Sequence, residues 1–181
     1  MADHRVAHSV AQMVVTLADR EELSLAELCK GLPIDERTLR RRLGGLEWEL
    51  FVELIERLEA RIGRARLLGQ TAVVPNISSI GRRLLGHFVS SRALLRFVCR
   101  VMGPSMYPMY ATTYDEERQD DGTLVAHLTL GLADGLRGCR TVFDLNGVAT
   151  AALPLFIDEA PFPLRAVTTA RGGDYWFTLK G

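Results

Sequence analysis

Residues 110–179 change hydrophobic period twice, and that succession constrains the fold more than any other feature of the chain. The run Tyr110-Ala-Thr-Thr-Tyr-Asp-Glu-Glu is bounded by the turn Asp120-Asp121-Gly122, after which Leu124, Ala126, Leu128 and Leu130 alternate with Val125, His127 and Thr129. A period of two beside an Asp-Gly turn is a hairpin signature. Over residues 138–156 the period lengthens. Val142, Leu145, Ala149, Ala152, Leu153 and Phe156 recur at three- and four-residue steps, as a helix with one buried stripe requires. Beyond Pro161 and Pro163, residues 164–169 and 174–179 read as two strands around a turn at Arg171-Gly172-Gly173. Strand, strand, helix, strand, strand predicts a four-stranded antiparallel sheet with one covered face.

The preceding residues read as helix, so the chain as a whole is expected to be α+β, a helical N-terminal half packed on that sheet. Residues 5–18 carry Val6, Val10, Met13, Val14 and Leu17 on one face, which either packs on its own domain or meets a second copy. Residues 47–64 form a longer helix whose apolar face, Trp48, Phe51, Val52, Leu54, Ile55, Leu58 and Ile62, is too large to stay bare and should dock on the second half. Pro75-Asn76 reads as a linker between parts 1–74 and 77–181 of a single domain. Ser78 or Ser79 starts a helix with Ile80, Leu84, Leu85 and Phe88. Ser90-Ser91 caps another over residues 92–102, which buries Leu94, Leu95, Val98 and Val101 before Gly103-Pro104 stops it.

The 181 residues are 48% hydrophobic, enough for a substantial core, and carry 22 basic against 22 acidic residues. That balance argues against a protein dedicated to nucleic acid. No apolar run is long enough to span a bilayer and no basic-then-apolar leader opens the chain, so a cytoplasmic location is expected. Cys29, Cys99 and Cys139 are far apart and odd in number, which suggests small buried hydrophobes rather than disulfides or a zinc site. His4 and His8 are spaced as a metal pair on a helix but have no third ligand, and His127 stands on a strand face. Asp115, Glu116, Glu117, Asp120 and Asp121 read as a solvated strand edge, and no catalytic constellation or phosphate loop stands out.

Residues 24–43 have the outline of a helix-turn-helix. Ser24 and Asp35 can cap two short helices around Gly31-Leu32-Pro33, and Arg37, Arg40, Arg41 and Arg42 decorate the second. As a DNA reader this element would place Thr38 and Arg41 at base edges, with Arg40 and Arg42 on phosphates. The alternative is a solvated arginine face beside Glu36 and Glu47.

The order of elements, a helical first half, a helix ending at Gly103-Pro104 with Pro108 close behind, then the two-strand, helix, two-strand unit, resembles the heme-based nitric-oxide/oxygen-binding (H-NOX) domains. It is also similar to the effector-binding domain of one branch of arabinose-type transcription regulators. There Gly31-Leu32-Pro33, the helix from Trp48, Arg82, Leu84, Leu85, Phe97, Tyr114 and the Asp121-Gly122 hairpin fall in similar order. The first resemblance implies a heme held by a histidine about two turns before Gly103 and by a Tyr-x-Ser-x-Arg motif. This sequence has Leu94 and Leu95 at the first place, and only Leu136-Arg137-Gly138-Cys139-Arg140 near the second. No cofactor is therefore expected, His87 and Cys99 being the remaining iron ligands to consider.

What remains is an apolar ligand site between the helical half and the sheet, where Phe97, Val98, Met102, Met106, Tyr107, Tyr110, Leu145 and Trp176 are expected to converge. The functional expectation is a non-catalytic sensor domain of a bacterial-type signalling protein, a histidine kinase or transcription regulator, binding a small apolar molecule or a partner protein. Ending at Gly181 directly after a strand suits a domain cut from a longer chain whose output domain carries the chemistry. The alternatives are a DNA-binding regulator using residues 24–43 and a homodimerising module using the first helix.

Overall fold

A computed structural model of the chain describes residues 4–41, 45–73 and 90–179. In chain order these form β1 (Arg5–Val6), α1 (His8–Arg20), α2 (Leu25–Cys29), α3 (Glu36–Arg40), β2 (Leu46–Glu47), α4 (Trp48–Ile62) and α5 (Arg64–Val73). After residue 89 come α6 (Ser91–Phe97), a π-helical segment (Val98–Met102), α7 (Gly103–Met106), β3 (Tyr110–Arg118), β4 (Leu124–Leu132), α8 (Arg140–Ala151), a 3₁₀ turn (Leu153–Ile157), β5 (Leu164–Thr168) and β6 (Gly172–Leu179). The linker at Pro75-Asn76, the helix expected from Ser78 or Ser79, and Arg82, Leu84, Leu85 and His87 lie outside the described residues.

The sheet runs β3-β4-β6-β5, antiparallel throughout, as the alternation in the sequence requires. Tyr114, Leu128 and Tyr175 stand in one cross-strand row on the core face, and Asp115, His127, Trp176 and Arg165 in the next row on the other face. Gly172 and Gly173 belong to β6 and not to the turn, which is made by Thr169, Ala170 and Arg171. They are glycines because the strands and Tyr175 crowd them: a Cβ on Gly172 would lie 2.5 Å from the Leu130 carbonyl, and one on Gly173 2.3 Å from the Tyr175 hydroxyl.

Helix α8 covers the core face of the sheet. Val142, Phe143 and Leu145 are fully buried, and the Tyr175 hydroxyl donates to the Phe143 carbonyl at 2.7 Å. The single helix expected over 138–156 is interrupted at Ala151. Pro154, which has no N–H to continue the ladder, opens the 3₁₀ turn, and the Ala151 carbonyl is taken by the Phe162 N–H at 2.9 Å.

Three more expectations are corrected in the helical half. Residues 5–6 do not continue α1; they pair with β2 as a two-stranded ribbon in which Arg5 Nε donates to Glu47 Oε1 at 2.7 Å. The helix from Trp48 ends at Gly63, whose φ of 80° turns the chain into α5, a helix the polar sequence did not announce. Gly103-Pro104 does not stop its helix either. Gly103 keeps right-handed helical dihedrals, its N–H donates to the Val98 carbonyl five residues back, and Pro104 enters at the start of α7, where a missing N–H costs nothing. The wider π turn also rotates Val101 outward, where it is 57% exposed rather than buried.

Helix α4 joins the two halves. Trp48, Phe51, Val52, Leu54, Ile55 and Leu58 are all buried, each contributing about 1.5–3 kcal/mol of transfer free energy. Trp48 lies edge-on to Tyr110 of β3 at 5.8 Å, and its Nε1 donates to the Arg137 carbonyl at 2.8 Å.

Gly147 of α8 supplies a test in which two effects oppose. Replacing an interior helical glycine by alanine normally gains about 1 kcal/mol. Here the new Cβ would lie 2.6 Å from the Tyr175 ring, which is fully buried and tethered by its hydroxyl. Such overpacking costs about 1–3 kcal/mol. Urea denaturation should therefore show Gly147→Ala to be destabilised, by up to about 2 kcal/mol, and a net gain in stability would show that the helix does not rest on that ring.

Candidate functional site

Between the start of α1, the π segment, α7, the core face of β3 and β4, and α8 lies a cavity of about 150 Å³. Its walls are mainly apolar: Val10 and Met13 from α1, Val98, Cys99 and Met102 from the π segment, Met106 and Tyr107 beyond it, Leu128 and Leu130 from β4, and Leu153. Ser9, Thr112, Asn146 and Thr150 add uncharged polar groups. Local sequence explains each placement. The alternation in β4 turns Leu128 and Leu130 inward, and the π segment presents Val98, Cys99 and Met102 on one side.

Of the eight residues expected here, Val98, Met102, Met106, Tyr107 and Tyr110 line the cavity. The other three do not. Phe97 packs part-buried against the core, Leu145 is buried but outside the lining, and Trp176 stands on the opposite face of the sheet. There it stacks on His127 at 4.7 Å, with the Arg165 guanidinium 4.6 Å from its ring centre. Asn146, Leu128 and Leu130 were missed as site residues, although the strand alternation already marked the two leucines as inward-facing.

Aromatic packing shapes one end of the site. Tyr107 and Tyr110 stack at 4.8 Å with nearly parallel rings, and Tyr110 stacks on Phe143 at 5.3 Å. Asn146 Nδ2 donates to the Val142 carbonyl at 3.0 Å and lies 3.4 Å from the Tyr110 hydroxyl. Burial pushes both hydroxyls well above the ordinary tyrosine range, so both stay protonated.

Behind the cavity, α6 is fastened to β3 by a carboxylate that the sequence suggested was solvated. Glu116 turns to the core face and is 8% exposed. Arg92 Nε donates to it at 2.8 Å, Arg96 Nη2 at 2.7 Å and the Tyr114 hydroxyl at 2.7 Å. Burial alone would raise its pKa; the donors Arg96, Tyr114 and Arg92 outweigh it and bring the carboxyl down to about 2.

The histidine ligation that an H-NOX resemblance implies has no counterpart among the described lining residues. Leu94 and Leu95 are fully buried core residues, and none of the lining residues is a histidine, arginine or lysine. Cys99 is present, but burial pushes its thiol up to about 12, away from the thiolate that binds metal. His127 is spent on Trp176 and Asp174; His4 precedes the ribbon and His8 opens α1, so they are not a helical pair. Among the described residues no group of three or more His, Cys, Asp or Glu could hold a metal ion. A space of about 150 Å³ is the size that admits benzene, far below a porphyrin.

The helix-turn-helix outline resolves into two helices of five residues each. Ser24 and Asp35 cap them as expected, accepting from the Glu27 and Thr38 N–H groups. Arg40 is held by Asp19 at 2.7 and 3.0 Å and by Glu36 at 2.8 Å, so its fork is already engaged. Arg37 and Arg41 border, with Arg40, a shallow groove between α2 and α3, Thr38 stands in the middle of α3, and Arg42 lies outside the described residues. A helix of little more than one turn cannot span several base edges. The apolar face of α1 is also occupied, Val10 and Val14 being 4% and 0% exposed within their own core.

The chain is similar to the crystal structure of an Fe(II) unliganded H-NOX protein from K. algicida, with a TM-score of 0.66, 8% identity and 97% of each chain covered. No protein-family model matches the chain, and no curated protein matches it. The architecture is thus an H-NOX-like α+β fold. Among the described residues no helix is long and apolar enough to cross a membrane.

The Glu116 cluster carries a pH signature of definite sign. Its carboxyl is depressed from 4.5 to about 2 on folding, so the stabilisation is complete above about pH 4.5 and is lost as pH falls towards 2. Water at Arg92 and Arg96, 41% and 46% exposed, screens the pair and leaves about 2 kcal/mol. Glu116→Gln should remove that part of the stability at pH 7 and flatten the loss between pH 4.5 and 2 in denaturant titrations. An unchanged acid limb in the variant would exclude this cluster as its source.

Proposed function

We propose that the chain is a non-catalytic sensor or input domain of a bacterial-type signalling protein, a histidine kinase or transcription regulator working in the cytoplasm. Its cavity takes a small, mostly apolar ligand. The observation that carries this reading is the cavity itself, a benzene-sized apolar space where the helical half meets the sheet, with a few uncharged polar groups. The kinship with effector-binding domains of arabinose-type regulators, and an output domain or a second copy as the partner that receives the signal, belong to the same proposal.

The walls connect the ligand to the surface. Met102 ends a π segment, in which each hydrogen bond spans one residue more than in an α-helix, and Met106 ends the short helix that follows it. The Ala7 N–H donates to the Met106 carbonyl at 2.9 Å, tying the ribbon and the start of α1 to that segment. A ligand that repacks Met102 and Met106 therefore biases the position of α1, which a partner domain can read.

Toluene is a suitable first probe. At a tenfold excess over its Kd it should stabilise the protein by about 1.4 kcal/mol and raise Tm by about 3–6 °C. Ala149→Leu, which fills the cavity, should abolish the shift. The Ala7 amide should also change its hydrogen-exchange protection on binding. A Tm unmoved by toluene at its solubility limit would overturn the reading.

A further inference from the structure

The cavity contrasts with the rest of the molecule in how its tyrosines are satisfied. The protein has four. Two spend their hydroxyl protons on the protein, Tyr114 on Glu116 Oε1 and Tyr175 on the Phe143 carbonyl, each at 2.7 Å. The other two, Tyr107 and Tyr110, line the cavity, and among the described residues neither donates to an acceptor. Both hydroxyls interact with the Asn146 amide, but neither meets an acceptor for its own proton among the described residues, and a pair of open donors in one place is a recognition feature.

Asn146 completes it. Its Nδ2 is committed to the Val142 carbonyl at 3.0 Å, which fixes which way round the amide stands. The second N–H lies 3.4 Å from the Tyr110 oxygen. Its Oδ1 accepts no hydrogen bond among the described residues. One end of the cavity therefore offers two hydroxyl donors and an amide acceptor within a small space.

The remainder of the lining sets ring and charge. Met13, Met102 and Met106 bring three thioethers to the walls, and sulfur packs favourably on aromatic ring edges. No lining residue is acidic, basic or a histidine, so an ionised ligand would enter with nothing to compensate its lost hydration. About 150 Å³ leaves space for one six-membered ring and little else.

We propose that the ligand is a neutral, single-ring aromatic molecule bearing one oxygen substituent, a phenol or an aryl carbonyl. Its ring lies among the methionines and its oxygen meets Tyr107, Tyr110 and Asn146. This rests on the reading of the cavity as a ligand site, and it adds chemical selectivity to that reading.

The test compares toluene, phenol and benzoate by calorimetry on the full chain at neutral pH, with Tyr107→Phe and Tyr110→Phe alongside and circular dichroism melts to verify that both variants fold. Phenol should bind at least tenfold more tightly than toluene, and benzoate at least tenfold more weakly than phenol. In each variant the ratio of phenol to toluene affinity should fall towards one. Toluene binding as tightly as phenol, benzoate matching phenol, or a ratio unchanged in both variants would overturn the proposed selectivity while leaving the apolar site standing. Failure of both toluene and phenol to bind would overturn the site itself and the selectivity with it.

Discussion

Trp48 is the contact on which the remaining arrangement depends. It is 1% exposed, opens the helix that carries the large apolar face, and reaches across to the second half twice, by its ring edge to Tyr110 and by its N–H to the Arg137 carbonyl. An indole buried in this way needs a partner for its single donor, so the loop before α8 is fixed to α4. Around it Glu49 and Glu53 hold Arg137 through its backbone and side chain at 3.0 Å, and Glu56 adds a further ion pair. Tyr110, pinned by Trp48 on one side and Phe143 on another, then sets where β3 begins and where Tyr107 stacks.

The cavity follows from that geometry. Once α8 is pressed onto the sheet at Gly147 and α4 is anchored at Trp48, the space beside Tyr110 has to be closed by α1 and by the segment after α6. The π turn closes it with methionines, which fill irregular space without demanding one shape. Glu116 holds α6 against β3 behind that turn through Arg92, Arg96 and Tyr114. The wall is thus rigid at α6 and adaptable one turn later. Among the described residues, the positions that approach the space carry thioethers, a thiol, aliphatic groups, tyrosines and an amide, and none is a histidine.

Much of the fold was legible because period and punctuation agree. The 2.0 and 3.6 periods, the Asp121-Gly122 turn and the caps at Ser24, Asp35 and Ser90 act locally, and each stands where the residues imply. Errors came where two signals competed. Gly172-Gly173 looks like a turn, but the glycines answer to the close approach of Leu130 and Tyr175 from elsewhere in the sheet. Gly103-Pro104 looks like a stop, but a π turn carries the helix past it. Trp176 sits between Tyr175 and Phe177, so both faces of β6 are aromatic and parity could not be assigned from the strand alone. Glu116 has carboxylates on both sides in sequence, and only the arginines of another helix distinguish it.

By itself the sequence determined the class of fold, the strand, strand, helix, strand, strand order of residues 110–179 and the apolar character of the segment from Val98 to Tyr110. These depend on interactions within a few residues, where spacing alone decides which side chains share a face. The tertiary structure decided which of those residues enclose a space, which face of β6 is covered, that Glu116 is buried with two arginines, and that Tyr107 and Tyr110 keep hydroxyl protons for which no described residue provides an acceptor. Those outcomes depend on the relative placement of groups far apart in the chain, and packing fixes that placement only when the whole core closes.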